Sequence, residues 1–160
     1  MIPAMSQEFR DALARLAAGV VVVSARTAGG YHGLTASTLI AVSLDPPLVL
    51  VALEHDTATL TAVRESRLFS VSVLTREQEF LAERFAGRAP AVEPLWRTTP
   101  HRLGANGVPL LEGCAAWLEC AVIDIREAGD HDLCIGSVTA ATLGAGDPLI
   151  LWDRAFWTLR

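Results

Sequence analysis

The chain has 160 residues, of which 51% are hydrophobic, and a formal net charge of −5 at pH 7. All 13 basic residues are arginines, which excludes a lysine Schiff base, and the acidic balance argues against a nucleic-acid partner held through its phosphates. The longest apolar runs have the length of strands and fall far short of the roughly 20 residues that span a bilayer. We therefore expect no nucleic-acid partner and no membrane association.

The length suits one domain, which we expect to occupy residues 1–160. The large apolar fraction favours a homodimer, because monomers rarely leave so much apolar surface exposed.

Cys114, Cys120 and Cys134 lack metal-ligand spacing and a neighbouring histidine cluster, so we expect no metal site. Three buried, unpaired thiols indicate a reducing compartment, and the N-terminal residues show no signal peptide. The expected location is the cytoplasm.

Hydrophobic periodicity assigns most of the chain to strands. The first two strands flank the turn Ala28-Gly29-Gly30 and are expected to form an antiparallel hairpin. Three prolines within 89–106 predict a long surface loop. The predicted elements are a helix over 6–18, strands over 20–25, 31–42 and 48–54, a helix over 57–65, a strand over 68–74, a helix over 76–86, and strands over 114–126, 134–143 and 149–152.

Many strands and few short helices, with no regular β-α-β alternation, predict a mainly β fold with a closed antiparallel barrel. The chain contains no Gly-x-Gly-x-x-Gly motif, which argues against a Rossmann sheet. A nucleotide-like cofactor would therefore be held by strand edges and loop hydroxyls.

The segment from Gly33 to Thr38 has small and hydroxylated residues where an apolar strand would carry bulky ones. Gly33 and Ala36 would allow a ligand to approach the backbone, and the hydroxyls of Thr35, Ser37 and Thr38 could donate to an anion. This pattern suits a planar, phosphate-bearing cofactor. The alternative is a half-buried strand whose hydroxyls face solvent.

Further short motifs extend over nearly the whole chain. They are Phe9, 17–23, Gly33–Ser37, Ser43–Pro47, Phe69–Leu74 with Gln78, Gly129–His131 before Ile135–Val138, and Pro148–Leu151 before Arg154–Phe156. In this order they resemble the flavin reductase-like proteins with an FMN-binding split barrel, which include reductase components of two-component flavin monooxygenases. The resemblance implies a split antiparallel β-barrel of Greek-key type with a few flanking helices. It also implies FMN as the cofactor, with FAD as the alternative, and NADH or NADPH as the co-substrate.

The resemblance implies two groups of cofactor-binding residues. Gly33, Leu34, Thr35, Ala36, Ser37 and Thr38 would line the isoalloxazine ring and the ribityl chain. The segment 53–59 would hold the phosphate end through Leu53, Glu54, His55, Thr57 and Thr59, and Arg88 would also bind the cofactor. Without the resemblance, Thr57 and Thr59 would be interpreted as a helix N-cap and a surface threonine. Asp56 departs from the family pattern and would repel a phosphate, so we expect it to point away, with His55, Arg84 or Arg88 offsetting its charge.

The turn Gly129-Asp130-His131 carries the catalytic candidate. In the family, the matching histidine lies on the nicotinamide side of the flavin, which implies that His131 positions the nicotinamide ring. Gly129, Asp130 and Arg154 would complete the nicotinamide site. Without the resemblance, His131 would be interpreted as an exposed turn residue.

The resulting hypothesis is a flavin reductase that transfers hydride from NADH to FMN and supplies reduced flavin to a partner monooxygenase. The alternative is a split barrel that carries FMN for redox or sensing and has no nicotinamide site. His131 discriminates between them, because an FMN carrier has no need of it. The related pyridoxamine-phosphate oxidase and haem-binding barrels are disfavoured, since no basic cluster and no axial ligand stand out.

Overall fold

A computed structural model describes residues 3–88 and 95–159 of the protein. Its helices are α1 Pro3–Ala14, α2 Ala58–Ser66, α3 Glu79–Phe85 and α4 Leu95–Thr98, with a 3₁₀ turn at Arg76–Gln78. Its strands are β1 Ala18–Gly19, β2 Val21–Thr27, β3 Gly30–Ala36, β4 Ile40–Leu44, β5 Pro47–Glu54, β6 Leu68–Val73, β7 His101–Leu103, β8 Pro109–Leu111, β9 Ala116–Ala128, β10 His131–Leu143, β11 Leu149–Trp152 and β12 Ala155–Thr158.

The principal sheet has seven strands in the order β3-β2-β6-β9-β10-β5-β4, and every neighbouring pair is antiparallel. A smaller sheet has the order β1-β11-β12, and β7 pairs with β8. No helix within the described ranges is both long and apolar enough to cross a lipid bilayer.

Strand β2 explains why the chain contains an unbroken run of valines. Successive side chains point to opposite faces of a strand, and here both faces are covered. Val21, Val23 and Ala25 belong to one buried cluster, whereas Val20 and Val22 belong to another. The first cluster also includes Val51, Leu60, Val63 and Phe69, and the second includes Leu74, Phe85, Leu111 and Leu149.

The barrel is split where its two edge strands approach one another. The segment 37–39 leaves β3, crosses from one edge of the sheet to the other, and enters β4. Because β4 pairs with β5 only as far as Leu50, the edge of β5 from Val51 to Glu54 has no strand partner on that side. At Ala52 the Thr38 hydroxyl takes the place of a strand partner. Its Oγ1 donates to the Ala52 carbonyl at 3.1 Å and accepts from the Ala52 N–H at 3.2 Å.

The predicted hairpin of the first two strands is confirmed, with Val21 opposite Ala36 and Thr27 opposite Gly30. The single strand predicted over 31–42 is wrong, because the crossing segment divides it into β3 and β4. The first helix ends at Ala14, earlier than predicted, since residues 18–19 pair with β11.

The region predicted to be a long loop over 89–106 contains regular structure in its second part. Residues 89–94 lie outside the described residues, whereas α4 and β7 follow directly after them. The short strands β8 and β12 were also missed, because three or four residues are too few to show a periodicity. The predicted strand over 149–152 is confirmed.

Candidate functional site

A cleft of about 390 Å³ opens at the split in the barrel, between the free edge of β3 and the unpaired end of β5. Its volume lies within the range typical of small-molecule sites. Edge strands present backbone N–H and C=O groups that have no partner in the sheet, so a ligand can bind to them. The described lining residues are Leu34, Thr35, Ala36, Ser37, Thr38, Ala52, Glu54, Thr57, Phe85, Ala86, Arg88 and His131.

The three hydroxyls on the segment 35–38 are not equivalent. Thr35 Oγ1 donates to the Ala82 carbonyl at 2.7 Å and thereby anchors α3 beside the cleft. Thr38 Oγ1 is engaged by Ala52 on both its donor and its acceptor side. The Ser37 hydroxyl has no hydrogen-bond partner among the described residues, which leaves it available to a ligand.

Arg88 is the only arginine among the described residues that line the cleft. It follows the C-terminal end of α3, where Phe85 and Ala86 also face the cleft. Its Nε lies 2.9 Å from Glu83 Oε2, which orients the guanidinium. Arg88 could therefore meet an anionic group of a ligand at this end of the cleft.

His131 also lines the cleft, at the first position of β10. Its Nδ1 lies 2.6 Å from Asp130 Oδ1, and this hydrogen bond, together with the charge of His131, holds the pKa of Asp130 below its usual value. A carboxylate can only accept, so Nδ1 carries the proton, and Nε2 has no hydrogen-bond partner among the described residues. Asp130 therefore fixes the tautomer of His131.

A buried carboxylate lies one residue further along β10. The Asp132 side chain is only 2% exposed and accepts hydrogen bonds from Arg64 Nη2 at 2.6 Å and from His55 Nε2 at 2.9 Å. Burial by itself raises the pKa of Asp132, but the bonds from Arg64 and His55 outweigh it, and the pKa lies below the usual value. This cluster joins β10, α2 and the turn after β5, and so fixes the end of β5 beside His131.

The sequence model of the flavin reductase like domain family matches residues 13–160. The chain belongs to this family.

This flavin reductase-like protein is similar to other reductases over nearly its whole length. The NADH:riboflavin 5'-phosphate oxidoreductase of Streptomyces pristinaespiralis is 39% identical over 160 residues, which cover 92% of this chain and 84% of that protein. The reductase component of 4-hydroxyphenylacetate 3-monooxygenase from Thermus thermophilus is 34% identical over 153 residues, 95% of each chain. The solved structure of flavin reductase PheA2 superposes with a TM-score of 0.90 at 31% identity, over 100% of this chain and 99% of that one. The predicted family and mainly β, split-barrel fold are confirmed.

Some of the predicted residues of this flavin reductase-like chain do not reach the cleft. Leu53 is fully buried in the core, because it alternates with the cleft-facing Ala52 and Glu54 along β5. His55 is bound to Asp132, and so does not offset the charge of Asp56. Asp56 is exposed, has a φ of 62° and does not line the cleft, in agreement with the expectation that it points away.

The two threonines predicted to hold the phosphate lie in different surroundings. Thr57 lines the cleft, but its hydroxyl donates to the Glu54 carbonyl at 2.9 Å and accepts from Leu60 N at 3.3 Å as the N-cap of α2. Its proton is therefore engaged. Thr59 is 3% exposed and lines a separate groove beside Trp96.

Gly33 does not line the cleft. A Cβ at this position would lie 2.9 Å from ring atoms of both Phe85 and Trp96. The absence of a side chain therefore serves the packing of α3 and α4 against β3. The residues of the segment that line the cleft are Leu34–Thr38.

The nicotinamide-site prediction included three residues that do not line the cleft, of which Asp130 is bound to His131. Gly129 is an exposed turn residue with a φ of 68°. Arg154 lies in a neighbouring groove of about 480 Å³ between α1 and the β11–β12 turn, where it forms an ion pair with Asp11. The two cavities share Ser37 and Thr38, so Arg154 adjoins the cleft without lining it.

Three residues that line the cleft were not predicted from the sequence, namely Ala52, Phe85 and Ala86. They are apolar and lie on elements distant in sequence from β3. Phe85 and Ala86 could have been inferred from the sequence, because they lie close to the predicted Arg88 along the chain.

The cysteines show no features of a reactive or metal-binding site. Burial raises the pKa of Cys114 and Cys134 to about 11 and that of Cys120 to about 12. A thiol with such a pKa is protonated at neutral pH and is a poor nucleophile. Over residues 3–88 and 95–159, no cluster of three or more His, Cys, Asp or Glu side chains could hold a metal ion.

Proposed function

We propose that this protein is an NADH-dependent FMN reductase that supplies reduced flavin to a partner monooxygenase. The observation that carries the proposal is the cleft between two free strand edges, which is lined both by Arg88 and by His131, itself bound to Asp130. The names of similar proteins support it, since one is an NADH:riboflavin 5'-phosphate oxidoreductase and another is the reductase component of a monooxygenase.

The residues of the cleft fit FMN in shape and chemistry. The apolar groups of Leu34, Ala36 and Phe85 suit a planar aromatic ring, and the Ser37 hydroxyl is free to hydrogen-bond it. Arg88 would meet the phosphate. When bound, FMN supplies a ring that accepts a hydride and passes electrons onward.

The chain's own contribution is to bind and orient. Backbone N–H groups along the edge of β3 can stabilise negative charge on a reduced ring without a catalytic side chain. The Asp130 carboxylate holds the His131 ring in one tautomer, so Nε2 can fix the pose of a nicotinamide group. Neither residue needs to act as a general base.

We also propose a cytoplasmic homodimer. Ile40, Val42 and Leu44 on β4 are 54%, 48% and 93% exposed. Burial of these side chains between two copies would remove a large apolar surface from water. The three described cysteines are free, which suits a reducing compartment. Light scattering of the purified protein tests the dimer, and a monomeric mass would refute it.

The decisive experiment measures NADH oxidation by the purified protein with and without FMN, for the wild type and for His131→Ala. We expect oxidation to depend on FMN and to be faster with FMN than with riboflavin, because only a phosphorylated flavin can form an ion pair with Arg88. His131→Ala should lower kcat/KM for NADH by about tenfold to a hundredfold while the Kd for FMN stays within twofold. His32→Ala is the matched control, since His32 is hydrogen-bonded to Thr27 and does not line the cleft.

The outcomes separate the candidate functions. Loss of FMN binding in His131→Ala would make His131 a cofactor residue. Tight FMN binding without NADH oxidation in the wild type would favour the FMN carrier over the reductase.

A further inference from the structure

Glu54 is an acidic residue of the cleft whose charge is unsuited to the phosphate of FMN. It is the last residue of β5 and lies directly opposite His131 in the β5–β10 ladder. Directly opposite residues share one face of a sheet, with Cβ atoms about 5 Å apart. Both side chains line the cleft. A nicotinamide group held by His131 therefore lies close to the Glu54 carboxylate.

No side chain in the described part of the chain neutralises this carboxylate, since Glu54 makes no ion pair and no side-chain hydrogen bond there. The neighbouring cationic and imidazole side chains already have acidic partners. The pairs are His55 and Arg64 with Asp132, Arg88 with Glu83, and His131 with Asp130. The part of the cleft beside His131 therefore has a negative charge that is free to act on a ligand.

The hydride donor becomes a cation as it reacts. The C4–H bond of the dihydronicotinamide ring breaks, and its electron pair leaves with the hydrogen to form the N5–H bond of the flavin. The flavin is reduced, and the nicotinamide ring is oxidised from a neutral to a positively charged ring. A fixed negative charge beside this ring stabilises the transition state more than the ground state.

We infer that Glu54 stabilises the positive charge that develops on the nicotinamide ring during hydride transfer. The inference rests on the proposed function, because it concerns the same cleft and the same hydride donor. His131 and Glu54 have complementary roles in it. His131 holds the nicotinamide group in place, and Glu54 favours its conversion to a cation.

Glu54→Gln tests the charge, because glutamine has nearly the same size and keeps an oxygen that accepts a hydrogen bond. With FMN bound, we expect stopped-flow reduction of the flavin at saturating NADH to slow about tenfold. The NADH concentration that gives half the maximal rate should stay within twofold, because the dihydronicotinamide ring is neutral. Glu54→Asp keeps the charge and should slow the reduction by less than threefold.

Calorimetry gives a measurement without turnover. NAD⁺ has a cationic nicotinamide ring, whereas 1,4,5,6-tetrahydro-NAD has a neutral ring that donates no hydride. Glu54→Gln should weaken the binding of NAD⁺ by about fivefold to tenfold, because an attraction between opposite charges is lost. The Kd for tetrahydro-NAD should stay within twofold.

Asp56→Asn is the matched control for both measurements. It removes a carboxylate only two residues away, at an exposed position outside the cleft, and asparagine tolerates the φ of 62°. We expect this variant to reduce FMN and to bind NAD⁺ like the wild type. An effect as large as that of Glu54→Gln would assign both changes to diffuse surface charge and overturn the role of Glu54.

Two further results would overturn the inference. Faster reduction of FMN in Glu54→Gln would show that the carboxylate acts on the flavin, which gains negative charge in the reaction. Equal weakening of NAD⁺ and tetrahydro-NAD would show that Glu54 contributes a contact and no charge effect.

Failure of the two proposals can be told apart. A wild type that does not oxidise NADH in the presence of FMN refutes the proposed function. A wild type that oxidises NADH, together with a Glu54→Gln variant that reduces FMN at the same rate and binds NAD⁺ equally well, refutes only the role of Glu54.

Discussion

Strands β2 and β3 are partners in one hairpin, have seven residues each, and are paired along their whole length. They differ almost completely in burial. The first five residues of β2, Val21–Ala25, are all buried, whereas in β3 only Ala36 is buried. Adjacent strands of one sheet thus have contrasting environments.

The reason is the position of each strand in the sheet. β2 lies between β3 and β6, and apolar clusters cover both of its faces. β3 is an edge strand, paired only with β2. The backbone groups on its outer side remain available, and small or polar side chains leave space beside them. The comparison teaches that β2 provides stability and β3 provides the ligand surface.

The largest expected effect follows from filling the space beside the edge. Ser37→Leu should weaken FMN binding at least a hundredfold, because a branched side chain would occupy the cleft and remove the free hydroxyl. The half-exposed position predicts a folded protein with a nearly unchanged Tm. Fluorescence titration with FMN and thermal unfolding measure the two quantities.

Ser37→Ala is the matched variant for that experiment, since it removes the hydroxyl without adding bulk. We expect it to weaken FMN binding by less than tenfold. If Ser37→Leu bound FMN as tightly as the wild type, the edge of β3 would be structural only.

A second prediction concerns β2, the buried strand of the hairpin. Val23 is fully buried and lies opposite Leu34. Val23→Ala should cost about 2 kcal/mol of unfolding free energy, because it removes buried methyl groups and leaves a cavity. This corresponds to a fall in Tm of about 4–8 °C for a chain of this size. The Kd for FMN, measured well below the Tm, should stay within twofold.

Leu34→Ala supplies the control on the edge strand. Leu34 lines the cleft, so its truncation should weaken FMN binding about tenfold. If Val23→Ala weakened FMN binding more than Leu34→Ala, the division of roles between the two strands would be wrong.

The smallest effect is expected at a polar residue of β3 whose hydroxyl serves the fold. Thr35→Val removes the hydrogen bond to the Ala82 carbonyl, which still accepts from Ala86 N at 3.1 Å. The loss should be about 1 kcal/mol, or about 2–4 °C in Tm. The Kd for FMN should rise by less than fivefold. A rise as large as that of Ser37→Leu would show that the Thr35 hydroxyl binds the flavin directly.

Much of the fold was predictable because it depends on local patterns. Alternation and β-branched runs located most of the longer strands, and the Ala28-Gly29-Gly30 turn located the first hairpin. The break between β3 and β4 was not predictable. Residues 37–39 look like strand residues, and only the crossing from one sheet edge to the other ends the pairing.

The candidate site was likewise only partly predictable from the sequence. Ser37, Arg88 and His131 were predicted from residue types and the family resemblance, and the structure brings them to one cleft. The sequence left Thr57 open between a phosphate ligand and a helix N-cap, and it did not indicate that Thr59 is buried or that His55 binds Asp132, because a hydroxyl or an imidazole has the same sequence signature whether it binds a ligand or its own chain. The N-cap of α2 and the buried Asp132 engage Thr57 and His55, respectively.

The sequence by itself determined that this protein is a mainly β, acidic, lysine-free chain with a polar strand in its first half and a histidine turn in its second. These properties follow from residue types and from periodicities within single elements. Only the tertiary structure decided which strand edges remain unpaired and which polar groups already have partners. Hydrogen bonding between strands is a property of chain segments that are distant in sequence, so the cleft exists only once the sheet has formed around its split.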